Sequence, residues 1–96
     1  MHFAIYCLDK PDALATRLAI YDTHRAYLAS PSAVAIVISG PLLADDGETM
    51  IGSLFVVEAD DRGAVENFHR NDPFFLNGVW DTTEIRPFLK RVDNRA

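Results

Sequence analysis

Apolar positions along the chain fall into blocks whose spacing switches between that of strands and that of helices. Residues 2–8, His-Phe-Ala-Ile-Tyr-Cys-Leu, are aromatic and β-branched and end at a turn signal, which reads as a strand. Asp9-Lys10-Pro11-Asp12 has the composition of a helix start, with Asp9 as N-cap, Pro11 in the first turn and a second carboxylate near the positive helix end. Leu14, Leu18, Tyr21 and Leu28 then recur on one helical stripe. The spacing predicts a helix to about Ala29, where Ser30-Pro31-Ser32 stops it. Residues 33–39 form a second strand, with Val34, Ile36 and Ile38 opposing Ala35 and Val37, and Gly40-Pro41 breaks it. Asp45-Asp46-Gly47-Glu48 is a turn cluster, and residues 49–58 are a third strand, apolar on both faces. Asp60 can cap a shorter second helix that carries Val65 and Phe68. It ends near Asn71, because Asp72 precedes Pro73 and is pushed to extended backbone. Residues 80–87 make a last, more polar strand, and Pro87 places it at a sheet edge or end. The tail, residues 91–96, is expected to be loose.

The order β-α-β-β-α-β is the split βαβ, ferredoxin-like arrangement, an α+β fold with a four-stranded antiparallel sheet. One domain over residues 1–96, with its core in 2–88, follows from the length. Two helices in this topology cover one face of the sheet. If the other face met water, the strands should alternate apolar and polar. They do not: Phe3, Ile5 and Cys7 oppose Ala4, Tyr6 and Leu8. A bare face of that kind exceeds what monomers tolerate, so a homodimer through the sheet face is expected.

The net charge of −5 and the pI near 4.9 argue against nucleic acid, since phosphate neutralisation needs clustered Lys and Arg. No apolar run has the length to span a bilayer, and no basic, apolar leader is evident at the N-terminus. Cys7 is the one cysteine, so no intrachain disulfide forms, and a cytoplasmic location is expected.

Arg17, Tyr21, His24 and Leu28 follow at spacings of four, three and four, and therefore share one helical seam. His24 falls at the border of the apolar stripe, where it can point into a cleft. Its unperturbed pKa near neutrality suits a general acid or base, against a plain half-buried helix histidine bonded to a carbonyl. Arg17, two turns earlier, can bind a carboxylate or phosphate, or pair with a surface acid. Asp72, in Asp72-Pro73-Phe74-Phe75, sits at a helix end with aromatic neighbours. It can serve a charged partner or cap local amides. Ser39-Gly40 closes the second strand, and glycine there permits close backbone approach by a ligand or simply ends the strand. His2 and His69 suit surface or edge roles. No metal-site spacing, phosphate loop or nucleophile motif is present, so neither metal nor cofactor is expected.

These residues, taken in order, resemble the YciI-like (YCII-related) family. Phe3-Ala4-Ile5-Tyr6 running into Asp9-Lys10-Pro11 resembles its first strand and turn, and Arg17-Leu18, His24 and Tyr27-Leu28 its first helix. Gly40-Pro41 resembles its strand exit, Asp72-Pro73 with Gly78-Val79 its post-helix loop, and Ile85-Arg86-Pro87-Phe88 its last strand. The resemblance implies a dimeric α+β barrel with His24 and Asp72 as the active-site pair; Arg17, Ser39, Gly40 and Phe74 are the candidate substrate-binding residues on the reading of the residues themselves. Phe74 stands where the family commonly has tyrosine, and the stretch after Gly40-Pro41 is short, which implies a more open pocket mouth. The topology alone does not require His24 and Asp72 to touch. One reading of the whole is an acid–base enzyme, of isomerisation or elimination type, acting without a cofactor on an unknown small molecule. Another is a non-catalytic ligand-binding or regulatory accessory dimer, and a third is a purely structural dimer.

Overall fold

The computed structural model describes residues 1–95; the expectation of a loose tail falls partly on Ala96, which lies outside the described residues. The elements are β1 (His2–Asp9), α1 (Leu14–Ala19), α2 (Tyr21–Ala29), β2 (Ala35–Leu43), β3 (Met50–Glu58), α3 (Arg62–Arg70), α4 (Pro73–Leu76) and β4 (Trp80–Phe88). The sheet order is β2-β3-β1-β4 with every neighbouring pair antiparallel, which is the expected ferredoxin-like α+β arrangement. The core lies between helices and sheet, where Phe3, Ile5, Phe55, Val57, Val65, Phe68, Phe74 and Val79 are buried. From Leu89 to Arg95 the chain has no regular structure, and Arg95 donates to the Val37 carbonyl at 2.7 Å.

Several elements differ from the sequence expectation, and each difference has a physical cause. Asp9 is not a helix N-cap. It ends β1, and its carboxylate is taken by Arg17. The chain turns through Asp12 at φ 62°, and the helix starts only at Leu14. The single first helix is two, because Ile20 departs from helical geometry at φ −107° and ψ 13°. The stripe of Leu14, Leu18 and Tyr21 is exposed, at 39%, 56% and 43%. The buried face carries Arg17 and His24 instead, each held by an acidic partner, and Ile20, Tyr27 and Leu28 supply its apolar contacts. Polar groups can be buried this way when their hydrogen bonds are met inside.

Gly40-Pro41 does not break the second strand: β2 runs through it to Leu43. β2 is an edge strand, so the missing proline N–H breaks no ladder between central strands. The ladder also shifts register between Ile36 and Ile38. Ile36 pairs with buried Val57, whereas Ile38 pairs with Val56 and is 55% exposed. This bulge re-aims the strand. It separates Ile36 and Ile38, which uninterrupted alternation would put on one face, and brings Ser39 opposite Phe55 and Pro41 opposite Ser53 on the helix side. The hairpin that follows is closed by Asp46, which accepts from Glu48 N, Thr49 N and Thr49 Oγ1 and is held down at a pKa of about 2 by those bonds. The cap of α3 is Asp61 rather than Asp60, its carboxylate accepting from Ala64 N at 2.8 Å.

Candidate active site

A cavity of about 260 Å³ opens between α2 and the strands β2 and β3. Arg17, Tyr21, His24, Arg25 and Leu28 form its helical wall, Ser39, Gly40, Pro41, Met50, Ser53 and Phe55 its strand wall, and Phe74 one end. Of the six residues singled out in the sequence, Arg17, His24, Ser39, Gly40 and Phe74 all line this one space. Asp72 does not line it but stands directly behind His24, bonded to its Nδ1 at 2.7 Å.

The contact between His24 and Asp72 is made by α4, a turn of helix that the sequence does not announce. Asp72 keeps the extended backbone that Pro73 demands, at φ −67° and ψ 132°, and its side chain caps α4 by accepting from Phe74 N at 2.9 Å. The same Oδ1 receives His24, so local capping and the histidine contact are one arrangement. Asp72 is therefore at the N-terminus of α4 as well as past the end of α3. Its Oδ2 is buried and, among the described residues, has no hydrogen-bond partner. An acceptor at Nδ1 fixes that nitrogen as the N–H and leaves Nε2 as the lone-pair nitrogen on the cavity side. Phe74 stacks on the imidazole, with centroids 3.8 Å apart and planes 9° from parallel, and prevents the ring from turning.

Arg17 is buried rather than on the surface. Its Nε and Nη2 hold the Asp9 carboxylate at 2.8 and 2.9 Å, a bidentate pair. Nη2 also reaches the Gly52 carbonyl and Ser53 Oγ, each at 2.8 Å. The guanidinium carbon lies 4.7 Å from the Phe74 ring centre. Gly52 lets β1 approach closely, since a side chain there would collide with the Cys7 carbonyl. Asp9 and Ser53 were not found from sequence. Asp9 carries no periodic link to Arg17 across strand, turn and helix. Ser53 did carry a signal, being a hydroxyl on the same face as Phe55 and Val57 in an otherwise apolar strand.

A second polar group lies beyond Trp80. His69 was expected at the surface but is only 6% exposed: it stacks on Trp80 at 4.8 Å, and its Nε2 meets Thr83 Oγ1 at 2.9 Å. Burial lowers its pKa from 6.5; Asp72 opposes that and Arg70 adds to it. The Cys7 thiol, buried beside Thr83, is pushed up to about 12, chiefly by desolvation, and is inert as a nucleophile near neutral pH. His2 pairs with Glu58 at 3.2 Å on the β1–β3 ladder. Among the described residues, no group of three or more His, Cys, Asp or Glu could hold a metal ion.

Comparison with known proteins gives the same architecture. The family model of the YCII-related domain matches residues 1–89. An uncharacterised protein of Haemophilus influenzae and the protein YciI of Escherichia coli are each 28% identical, over 94% of this chain and 98% of theirs. Among solved structures, the 5-chloro-2-hydroxyhydroquinone dehydrochlorinase of Burkholderia phenoliruptrix AC1100, in complex with 2,5-dihydroxybenzoquinone, superposes with a TM-score of 0.82. It is 34% identical, over 93% of this chain and 94% of that one.

Proposed function

The chain belongs to the YCII-related domain family, and from that premise we propose that it is an acid–base enzyme that eliminates or isomerises a small, oxygenated ring compound. The observation that carries this reading is the His24–Asp72 pair at the wall of a cavity of ligand size. Nε2 of His24 takes a proton from a hydroxyl, or from a carbon beside a carbonyl, and later returns it or passes it to water. Asp72 holds the imidazole in the required tautomer and balances its charge when Nε2 is protonated. If the substrate carries a leaving group, its departure follows the electron pair released by that proton, and no electron is exchanged. Arg17 anchors an oxygen of the ring, while Ser39 and Gly40 shape the opposite wall. Phe74 has no hydroxyl, so it offers the ligand only a flat apolar edge and serves mainly to lock His24. The similarity to a dehydrochlorinase that binds a dihydroxybenzoquinone favours hydroxylated or quinoid rings as the substrate class.

We further infer a homodimer through the outer sheet face. Tyr6, Leu8, Ile38 and Leu54 are 46%, 37%, 55% and 38% exposed there, and Tyr6 and Leu54 are register partners. A cytosolic location accords with the single buried thiol. The test of function is turnover of a panel of chlorinated and unchlorinated hydroxyhydroquinones, by wild type and His24→Gln. General acid–base catalysis is worth about 10²–10⁴ in rate, so His24→Gln should lose at least a hundredfold. Equal turnover by the two proteins sinks the enzyme reading. Tight ligand binding without turnover by either turns it into a binding module.

A further inference from the structure

Ser53 sits at the base of the cavity with its hydrogen bonding almost fully determined. Arg17 Nη2 donates to its Oγ at 2.8 Å and Trp80 Nε1 donates to it at 3.3 Å. Neither guanidinium nor indole can accept a hydrogen bond, so both contacts use Ser53 lone pairs. A hydroxyl has two lone pairs and one proton. The proton must therefore be donated elsewhere, and among the described residues it has no acceptor. Ser53 is 3% exposed and is one of the residues that line the cavity. Arg17 is in a matching position. Nε and Nη2 are spent on Asp9, Gly52 and Ser53, whereas Nη1 has no partner among the described residues, although the side chain lines the same cavity.

We propose that Ser53 Oγ–H and Arg17 Nη1–H form a preorganised donor site for a negatively charged oxygen on the ligand, such as a phenolate, an enolate or the oxygen of an ionised hydroxyquinone. An ordinary serine hydroxyl rotates and must be ordered when a ligand arrives. Here two donors fix the rotor before binding, so a charged oxygen meets aligned donors at no cost in reorganisation. Asp9 neutralises the Arg17 charge, so this donor pair selects by hydrogen bonding, while Arg25 elsewhere on the cavity wall supplies net attraction for an anion. A neutral ether or chlorine in the same place leaves buried donors unmet, which is unfavourable. The geometry thus separates two tasks within the cavity. His24 moves the proton, and Ser53 with Arg17 holds the oxygen on which charge resides or develops.

This rests on the reading of the cavity as a ligand site, and its test is separable from the turnover test of His24. Binding of 2,5-dihydroxybenzoquinone, which is ionised at neutral pH, and of uncharged hydroquinone is measured by calorimetry on wild type, Ser53→Ala and Ser53→Thr. Ser53→Cys replaces Ala if that variant does not fold, since the thiol fills the space but donates weakly. A bond to a charged group corresponds to a loss of at least about tenfold in affinity for the anion on removal of the hydroxyl. Hydroquinone should change by less than about threefold, and Thr should restore most of the anion affinity. Anion affinity equal to wild type in Ser53→Ala or Ser53→Cys overturns the proposal, whatever His24→Gln does to turnover. So does a wild type that binds the anion no better than hydroquinone. Loss of anion affinity alongside unchanged turnover in His24→Gln keeps the oxygen site and removes the acid–base role.

Discussion

Replacing Asp72 with Asn isolates the charge of the dyad from its geometry, because the structure dictates how the amide must sit. Oδ1 of Asp72 accepts from both Phe74 N and His24 Nδ1. An amide turned the other way would set its NH2 against the Phe74 N–H, so the carbonyl stays at the Oδ1 position. His24 then still donates from Nδ1 and keeps its tautomer. What is lost is the negative charge beside the imidazolium formed when Nε2 takes a proton. With charge centres about 4 Å apart and an effective dielectric of about 20, that attraction is about 4 kcal/mol. The difference between charge-assisted and neutral hydrogen bonds gives a lower figure of about 1–1.5 kcal/mol. The expected loss in kcat is therefore between about tenfold and a thousandfold. The new NH2 occupies the unpartnered Oδ2 position and costs about 1–3 kcal/mol, which removal of a buried charge offsets, so the variant should fold. Steady-state turnover, with the Nδ1 proton resonance of His24 as a check on geometry, decides the matter. Unchanged kcat refutes the charge argument. A fall beyond about ten-thousandfold, the scale of a lost tautomer, refutes the claim that Phe74 N–H holds the amide in place.

Two further outcomes follow from other parts of the molecule. Because burial holds the folded pKa of His69 below 6.5, the unfolded chain binds a proton that the folded chain resists. Stability should therefore be complete above about pH 6.5 and decline as the pH falls from there towards the folded value. Urea midpoints at pH 7.5 and 5.5 should converge in His69→Gln relative to wild type, and an identical pH slope in both proteins refutes this. Leu54→Lys places a charge at the centre of the outer sheet face, opposite Tyr6. In sedimentation it should move as a single chain of 10.7 kDa where wild type moves as two, and a wild type that sediments as one chain removes the dimer.

The strand blocks, their order and the ferredoxin-like sheet were legible because short β-branched and aromatic runs and the turn residues between them act locally. His24 was legible because a helical seam relates residues only a few positions apart. The Pro rule likewise placed Asp72 in extended backbone, where the structure has it at ψ 132°. What escaped was set by contacts distant along the chain. The apolar stripe of Leu14 and Leu18 pointed to the core, but the helix is rotated so that Arg17 meets Asp9 and Ser53, 8 and 36 residues away. Proline and glycine signalled a strand end at Gly40-Pro41, yet an edge strand tolerates both, and the bulge after Ile36 has no signature in composition. His69 looked like a surface residue because nothing local reveals that Trp80 and Thr83 enclose it.

The placement of buried charge bears on why these residues are present. Two acid–base pairs have both partners less than 9% exposed, Arg17 with Asp9 and His24 with Asp72, and both stand at the same cavity. Every other ion pair among the described residues has at least one partner more than a third exposed. Exposed pairs contribute about 0–1 kcal/mol, and buried ones are commonly matched or exceeded in stability by apolar residues of similar volume. A chain of 96 residues has little stability in reserve, so stability alone would favour leucine or methionine at these positions. The exposed Leu14 and Leu18 sharpen the point, since burying that stripe would have gained apolar contact that burying Arg17 and His24 forgoes. The fold gives up this stabilisation at one place, and there the two cavity-lining side chains, Arg17 and His24, retain groups without a partner among the described residues, Nη1 and Nε2. That distribution is the one expected when polar residues are held for a ligand and not for the scaffold.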